Sequence, residues 1–157
     1  MSKQMVVTNK SLLPSKHKNV SADYEYRKYE VSGFSEQNTS CIAFYEIPPG
    51  KSGYPYHYHA KNEEIFYIIS GEGTLKSPSG ERTVGPGDII VCPLLEGGAH
   101  KLTNSSATES LVYLDIDILH FPELIYYPDS NKVGVFASGE MKKFYKTDSD
   151  VDYYEGE

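Results

Sequence analysis

Tryptophan is absent from the chain, and cysteine occurs only twice, at Cys41 and Cys92. Both cysteines lie in apolar runs, "SCIAFYEI" and "DIIVCPLL", so neither a disulfide framework nor a thiolate zinc cluster is indicated. Buried free thiols are expected instead. No run approaches the roughly 18 apolar residues of a membrane span, and the N-terminal "MSKQMVVTNKSLLP" lacks the apolar centre of a signal peptide. A cytoplasmic protein with no membrane partner is the expectation. Positive charge is scarce as well: 15 basic residues against 22 acidic ones leave a net charge of −7, the wrong sign for a phosphate backbone. With no basic patch and no helix-turn-helix pattern, no nucleic-acid partner is expected. Long stretches with an amphipathic 3.6-residue period are also missing.

What is present is punctuation. Glycine and proline recur at short intervals ("PPG" at 48–50, "SGEG" at 70–73, "SPSG" at 77–80, "GPGD" at 85–88, "EGG" at 96–98), and β-branched or aromatic runs fill the gaps, among them "YEYRKYEV", "TSCIAFYEI", "EIFYIIS" and "SLVYLDIDI". Many short strands joined by tight turns predict an all-β sandwich or barrel, a jelly roll among the candidates. At 157 residues the chain suits one domain. We place that domain at 21–146, between a basic extension, 1–20, with Lys3, Lys10, Lys16 and Lys18 and no acid, and an acidic tail, 147–157, with five acids and no base. Both ends read as solvated segments that the barrel does not need in order to fold.

Strand parity sorts the faces. In "EIFYIIS", Glu64, Phe66 and Ile68 share one side and Ile65, Tyr67 and Ile69 the other, as expected of a strand between a barrel interior and a second layer. In "SLVYLDIDI" one side is apolar (Val112, Leu114, Ile116, Ile118) and the other mixed (Leu111, Tyr113, Asp115, Asp117); the mixed side either lines a cavity or meets solvent.

The chemistry concentrates in two segments. His57 and His59 stand two apart, so on a strand both imidazoles aim the same way, and the acid pair Glu63-Glu64 follows at once. The second segment, "GPGDIIVCPLLEGGAHKLTN" at 85–104, adds His100. Three neutral imidazoles and a carboxylate suit one divalent transition-metal ion, with Mn, Fe, Co, Ni, Cu or Zn all possible. His17 and His120 lack such company and are expected at the surface or in packing. Tyr54, Tyr56 and Tyr58 surround the histidines; Tyr56 and Tyr58 have the parity opposite to His57 and should point away from the ion, as outer-layer or dimer tyrosines, unless a hydroxyl at the barrel mouth serves a substrate. Gly71, Gly73, Gly85 and Gly87 read as turn residues tolerating positive φ.

Taken in order, these segments resemble the paired motifs of the cupin superfamily. They run Gly50, six residues, His57-x-His59, four residues, Glu64, six residues, Gly71; then Gly87, five residues, Pro93, three residues, Gly97, two residues, His100, three residues, Asn104. Two spacings depart from the usual pattern: one extra residue lies between glycine and the first histidine, and "LLE" at 94–96 lengthens the loop before His100, which should give an unusual pocket rim. The downstream "YYPDSNKVGV" and the closing "DYYEGE" are similar to small single-domain bacterial cupins. The resemblance implies a single-domain cupin jelly roll, a double-stranded β-helix barrel, with N- and C-terminal extensions. It also implies His57, His59, Glu64 and His100 as the metal ligands, since the gap to Gly71 selects Glu64 over Glu63. The expected function is that of a mononuclear metal-binding cupin acting on a small oxygen-bearing metabolite (a sugar, sugar phosphate or oxo acid) by isomerase or oxidoreductase chemistry. The alternative is a metabolite-binding protein without turnover, because no general base beyond the ligands can be named. A homodimer is expected, with "YEYRKYEV" and "SLVYLDIDI" as segments that could pair across a two-fold axis.

Overall fold

The computed structural model describes residues 4–33, 39–138 and 141–157; the first three residues of the basic N-terminal stretch lie outside them. The described chain is all-β, as the punctuation predicts: thirteen strands, three short 3-10 turns and no α-helix. In chain order the strands are β1 (Ser15–Asn19), β2 (Glu25–Ser32), β3 (Ser40–Ile47), β4 (Tyr58–His59), β5 (Glu63–Ser70), β6 (Gly73–Ser77) and β7 (Gly80–Val84). There follow β8 (Ile89–Cys92), β9 (Lys101–Asn104), β10 (Leu111–Ile118), β11 (Glu123–Tyr127), β12 (Lys132–Phe136) and β13 (Lys142–Lys146). They form a six-stranded sheet in the order β1-β2-β3-β10-β5-β8, a four-stranded sheet β13-β12-β11-β4 and a three-stranded sheet β7-β6-β9. No helix among the described residues is long and apolar enough to cross a membrane.

The core draws one face from each wall of the barrel. Ala43, Tyr45 and Ile47 of β3, Phe66 and Ile68 of β5, Ile90 and Cys92 of β8 and Leu111 and Tyr113 of β10 meet Leu75, Val84 and Leu102 of the three-stranded sheet. Cys92 is buried and Cys41 half-buried, and both are free thiols. The interior is aromatic and partly polar. Tyr45 stacks on Tyr113 with ring centroids 5.3 Å apart, and the hydroxyls of Tyr45, Tyr54 and Tyr26 form a chain with 3.0 Å links. The buried Tyr26 and Tyr45 phenols thereby each keep a hydrogen-bond partner in Tyr54. Asn104 is wholly buried and fully satisfied: its Nδ2 donates to Ile47 O and Glu109 O at 2.8 Å, and its Oδ1 accepts from Ser106 N at 2.9 Å. It ties the end of β9 to two other segments and is a structural residue of its motif.

Of the two readings open for the mixed side of β10, the inward one holds: Leu111, Tyr113 and Asp115 are buried, while Val112, Leu114, Ile116 and Ile118 are half-buried outside. Other expectations need correction. The outer side of β5 has no second layer over it among the described residues, because Tyr67 and Ile69 are 44% and 40% exposed beside Ile89 and Val91 of β8 at 67% and 55%. Nor are β2 and β10 available at their edges, since β1 and β3 flank the one and β3 and β5 the other. The basic N-terminal segment includes β1, paired with β2 along its whole length, and Lys10 reaches Glu46 on β3. Of the four turn glycines, Gly71 and Gly87 take positive φ (84° and 92°) and Gly73 and Gly85 do not.

Candidate metal centre

The two motifs meet through the backbone. His57 N–H donates to His100 O at 3.1 Å and His100 N–H returns to His57 O at 2.9 Å, an antiparallel bridge that sets the two imidazoles 4.5 Å apart. Reaching that position requires the chain after β8 to fold tightly. A Cβ on Gly98 would stand 1.7 Å from Pro93 O, so only glycine allows the approach. The "LLE" loop is held by Leu95 N–H donating to His59 O at 2.7 Å. His59 itself sits on β4, paired with Ile125 of β11, and Glu64 opens β5 opposite Cys92 and Asp117.

All four predicted side chains are buried: His57, His59, Glu64 and His100 expose 7%, 8%, 8% and 4%. Glu64 Oε2 lies 3.6 Å from His57 Nε2, 3.4 Å from His59 Nε2 and 2.8 Å from His100 Nε2. Adjacent ligands on an ion at about 2.1 Å would themselves be about 3 Å apart. His57, His59 and Glu64 each offer an atom within 4.8 Å of the others. Glu63 is half-buried and is not one of that group. His17 pairs with Glu25 at 2.9 Å on the surface and His120 is exposed.

The outer nitrogens explain why the inner ones converge. His57 Nδ1 is 2.8 Å from Pro55 O and His100 Nδ1 is 2.8 Å from Gly98 O. A carbonyl only accepts, so both Nδ1 atoms carry the proton and donate, which leaves each Nε2 lone pair facing inward. For His59 the outer partner is Glu123, whose Oε1 lies 3.4 Å from Nδ1. Glu123 is 1% exposed and is fixed in turn by Ala60 N–H (2.8 Å, to Oε1) and Lys61 N–H (3.0 Å, to Oε2). Such outer partners orient metal-binding imidazoles and raise their basicity. His59 Nδ1, although 3.4 Å from Glu123, makes no hydrogen bond, and with Asp115 Oδ1 and the inward-facing His59 Nε2, His100 Nε2 and Glu64 Oε2 it is buried without a hydrogen-bond partner among the described residues. Buried polar atoms of this kind are costly unless something else satisfies them, and a donor set of three imidazole nitrogens and one carboxylate oxygen fits a divalent transition ion.

Charge is distributed accordingly. Burial drives His57 down to about 4, against the pull of Glu64. Burial also opposes protonation of His59, but Glu64 and Glu123 together carry it up to about 9. His100 rises well above its usual range, burial being outweighed by Glu64. Glu64 is held well below the carboxylate range despite its burial, by His100 and His59. Asp115 and Asp117 line the same region and can form a second acidic group with Glu64. Burial and the neighbouring acids raise both, Asp117 to about 8.

Sequence parity placed Tyr56 and Tyr58 outside, and there they are: both line an outer cleft of about 390 Å³ with Tyr126 and Tyr127. Tyr54 instead turns inward, because residues 53–57 are not a regular strand and parity does not carry through them. The space beside the cluster, walled by Tyr54, Phe66, Tyr113 and Asp115, is about 20 Å³, enough for about one water. Two residues escaped the sequence reading. Glu123 sat in "FPE", which read only as a turn, and Tyr127, whose ring stacks on His57 at 5.8 Å, lay among other tyrosines with nothing to single it out.

Comparison with known proteins agrees with this picture. Residues 43–117, which include His57, His59, Glu64 and His100 of the paired motifs, match the family described as Cupin domain. A candidate sugar phosphate isomerase from Acidithiobacillus ferrooxidans is 25% identical, over 96% of this chain and 97% of that one, with a TM-score of 0.81. A cupin-superfamily sugar phosphate isomerase from Silicibacter pomeroyi (16% identity, 92% and 94% covered, TM-score 0.79) shares the fold. So does a predicted oxalate decarboxylase from Thermotoga maritima (24%, 73% and 100%, TM-score 0.60). No curated protein sequence matches. Both motifs are brought together in one β-barrel, and residues 43–117, which carry them, match the cupin family, so this part of the chain is a cupin domain.

Proposed function

We propose that His57, His59, Glu64 and His100 hold one divalent transition-metal ion and that the protein acts on a small oxygen-bearing metabolite, with isomerisation of a sugar phosphate as the best-supported reaction. The observation that carries the metal is the convergence of inward Nε2 atoms and Glu64 Oε2, buried and partnerless, while every Nδ1 faces an outer acceptor. The substrate class rests on the likeness, along nearly the whole of both chains, to a candidate sugar phosphate isomerase.

Bound there, a divalent ion supplies Lewis acidity toward a carbonyl or neighbouring hydroxyl oxygen. The chain's own part is to orient and to exclude water. Pro55 O, Gly98 O and Glu123 fix the three rings before any ligand arrives, so little reorganisation is needed on binding. Phe66 and Tyr113, whose rings pack 5.2 Å apart, and Tyr54 close the inner side. Asp117, paired across the strands with Glu64, is raised to about 8 by burial and by Glu64, so it is an acid beside the ligands that can hold a proton near neutral pH.

Elemental analysis of the purified protein tests the metal, with each of the four residues changed to alanine. Loss of metal in each single variant is expected, and full metal content in all of them refutes the site. The reaction is tested by loading the protein with each candidate ion and screening sugar phosphates, sugars and oxo acids. Binding throughout that panel without turnover establishes a metabolite-binding protein instead of an enzyme.

A further inference from the structure

The outer cleft is unexplained by the metal cluster, yet it touches it. Its volume, about 390 Å³, falls in the range of small-molecule sites, whereas the space inside the barrel holds no more than about one water. Tyr56, Tyr58, Tyr126 and Tyr127 line it together with Glu96 and Lys132. Tyr58 and Tyr126, partners across β4 and β11, stack on each other at 5.0 Å and 14°.

Two lysines rest on rings that line the cleft, and of the two only Lys132 lines it itself. Lys76 lies over Tyr56 at 4.3 Å, but Asp129 neutralises it through both carboxylate oxygens at 2.8 and 2.9 Å. Lys132 lies 4.4 Å over the Tyr127 ring and 5.6 Å over Phe144, and no carboxylate among the described residues comes within 4.0 Å of it. An ammonium resting on two rings and lacking a counter-ion is available to an anion. Tyr127 is the shared wall, since the residue that lines the cleft beneath Lys132 also stacks on His57 at 5.8 Å and 23°.

We propose that this cleft is the docking site of an anionic sugar, with Lys132 taking its phosphate or carboxylate, the tyrosine rings taking the apolar face of the sugar, and Tyr127 standing between the docked molecule and the histidine cluster. The assignment rests on the sugar-phosphate reading above for its substrate class, but its residues are separate from the four metal-binding ones. Aromatic faces suit the C–H side of a sugar ring, and Glu96 offers an acceptor for sugar hydroxyls. Tyr127 and Lys132 lie on either side of the turn Pro128–Ser130, so one short segment builds both the anion contact and the wall against His57.

Calorimetric titration of the full chain tests this with three ligands of one carbon skeleton: a sugar phosphate, the matching sugar acid and the neutral sugar. The phosphate or the acid should bind, and the stronger of the two identifies the anion. Lys132→Met should weaken that anionic ligand about tenfold and leave the neutral sugar unchanged, as expected for the loss of one charged contact. Tyr58→Ala should weaken all three. Both variants must melt like the parent protein; should Lys132→Met not, Lys132→Gln replaces it with the same expectation. In the parent protein stripped of metal with a chelator the Lys132-dependent binding should persist, so failure of the metal assignment leaves this one standing. Equal affinity of the parent and the lysine variant for the anionic ligands, or no binding of any of the three, overturns the proposal.

Discussion

Glu123→Gln is the sharpest probe of the centre, because it alters a residue that coordinates nothing. In the parent protein Oε1 accepts from Ala60 N–H at 2.8 Å and faces His59 Nδ1 at 3.4 Å, while Oε2 accepts from Lys61 N–H at 3.0 Å. Glutamine keeps one oxygen. If that oxygen occupies the Oε1 position, the amide NH2 confronts Lys61 N–H; reversed, it confronts Ala60 N–H and His59. The first arrangement loses less, but His59 still exchanges a carboxylate for a neutral acceptor. Substitution of such an outer partner lowers metal affinity by about 10- to 100-fold, or about 1.4–2.7 kcal/mol. A second effect has the opposite sign. His59 sits at about 9 in the empty centre, partly through Glu123, and must give up its proton to coordinate. Removing the charge of Glu123 lowers that value and so weakens proton competition at pH 7. The two effects offset each other near neutrality and separate at pH 9, where little proton remains to displace. Competition against a chelator at both pH values reads the difference: near-equal affinities at pH 7 and a deficit of at least tenfold in the variant at pH 9. Equal affinities at pH 9, with the empty proteins melting alike, would refute the role given to Glu123.

The register of β5 is checked by metal content, which should fall in Glu64→Ala and stay at the parent level in Glu63→Ala; the reverse result shifts the strand by one residue. Stability of the empty protein should fall as pH rises from about 6.5 to 9, because His59 (raised to about 9) and, up to about 8, Asp117 hold protons in the folded state that the unfolded chain has released. Thermal unfolding across that window should show a growing gap between empty and metal-loaded protein, and a gap that shrinks with pH contradicts the charge assignment. The exposed apolar patch of Tyr67, Ile69, Ile89 and Val91 on the outer side of β5 and β8 ends at the edge strand β8 on a chain of net charge −7, so a second copy can both cover the patch and extend the sheet. Light scattering at micromolar concentration should give a homodimer that Ile89→Asp converts to monomer, and a monomeric parent protein rejects this.

What the sequence revealed depended on how far each feature reaches along the chain. His57, His59 and Glu64 were legible because they lie within eight residues and local parity is enough to aim them. His100 was named by the resemblance, but its meeting with His57 is a backbone bridge between segments 43 residues apart, which no periodicity records. Glu123 was invisible for the same reason: its place behind His59 follows from the pairing of β11 with β4, and in sequence it is one acid after a proline. The outer side of β5 shows a different limit. Alternation revealed two apolar faces correctly, yet it does not say whether the chain's own residues cover the second one. On β10 composition left the choice of face open, and an interior that keeps Asp115 and Tyr113 beside the cluster makes the more polar side the buried one. Polar residues inside at a barrel site are what a hydrophobic pattern alone assigns to solvent.

The charges of the empty centre bear on which ions it selects. In the empty centre, against burial, His100 and His59 hold Glu64 down, Glu64 in turn raises His100 and carries His59 to about 9, burial drives His57 down to about 4, and burial with the neighbouring acids raises Asp115 and Asp117. A divalent ion that displaces the two imidazole protons leaves the total buried charge as it was. The cost of holding that charge away from water is therefore already met by the fold and does not rise on binding. A monovalent ion displacing both protons would leave Glu64 short of positive charge, and a trivalent ion would add one unit with no new counter-charge. Selection by valence thus follows from the protonation of residues the ion replaces, whereas selection among the divalent transition ions is left to geometry and ligand type. Because the exchange releases protons, apparent affinity must climb with pH until His59 and His100 are neutral, and in the window where the empty protein weakens, the loaded one gains most.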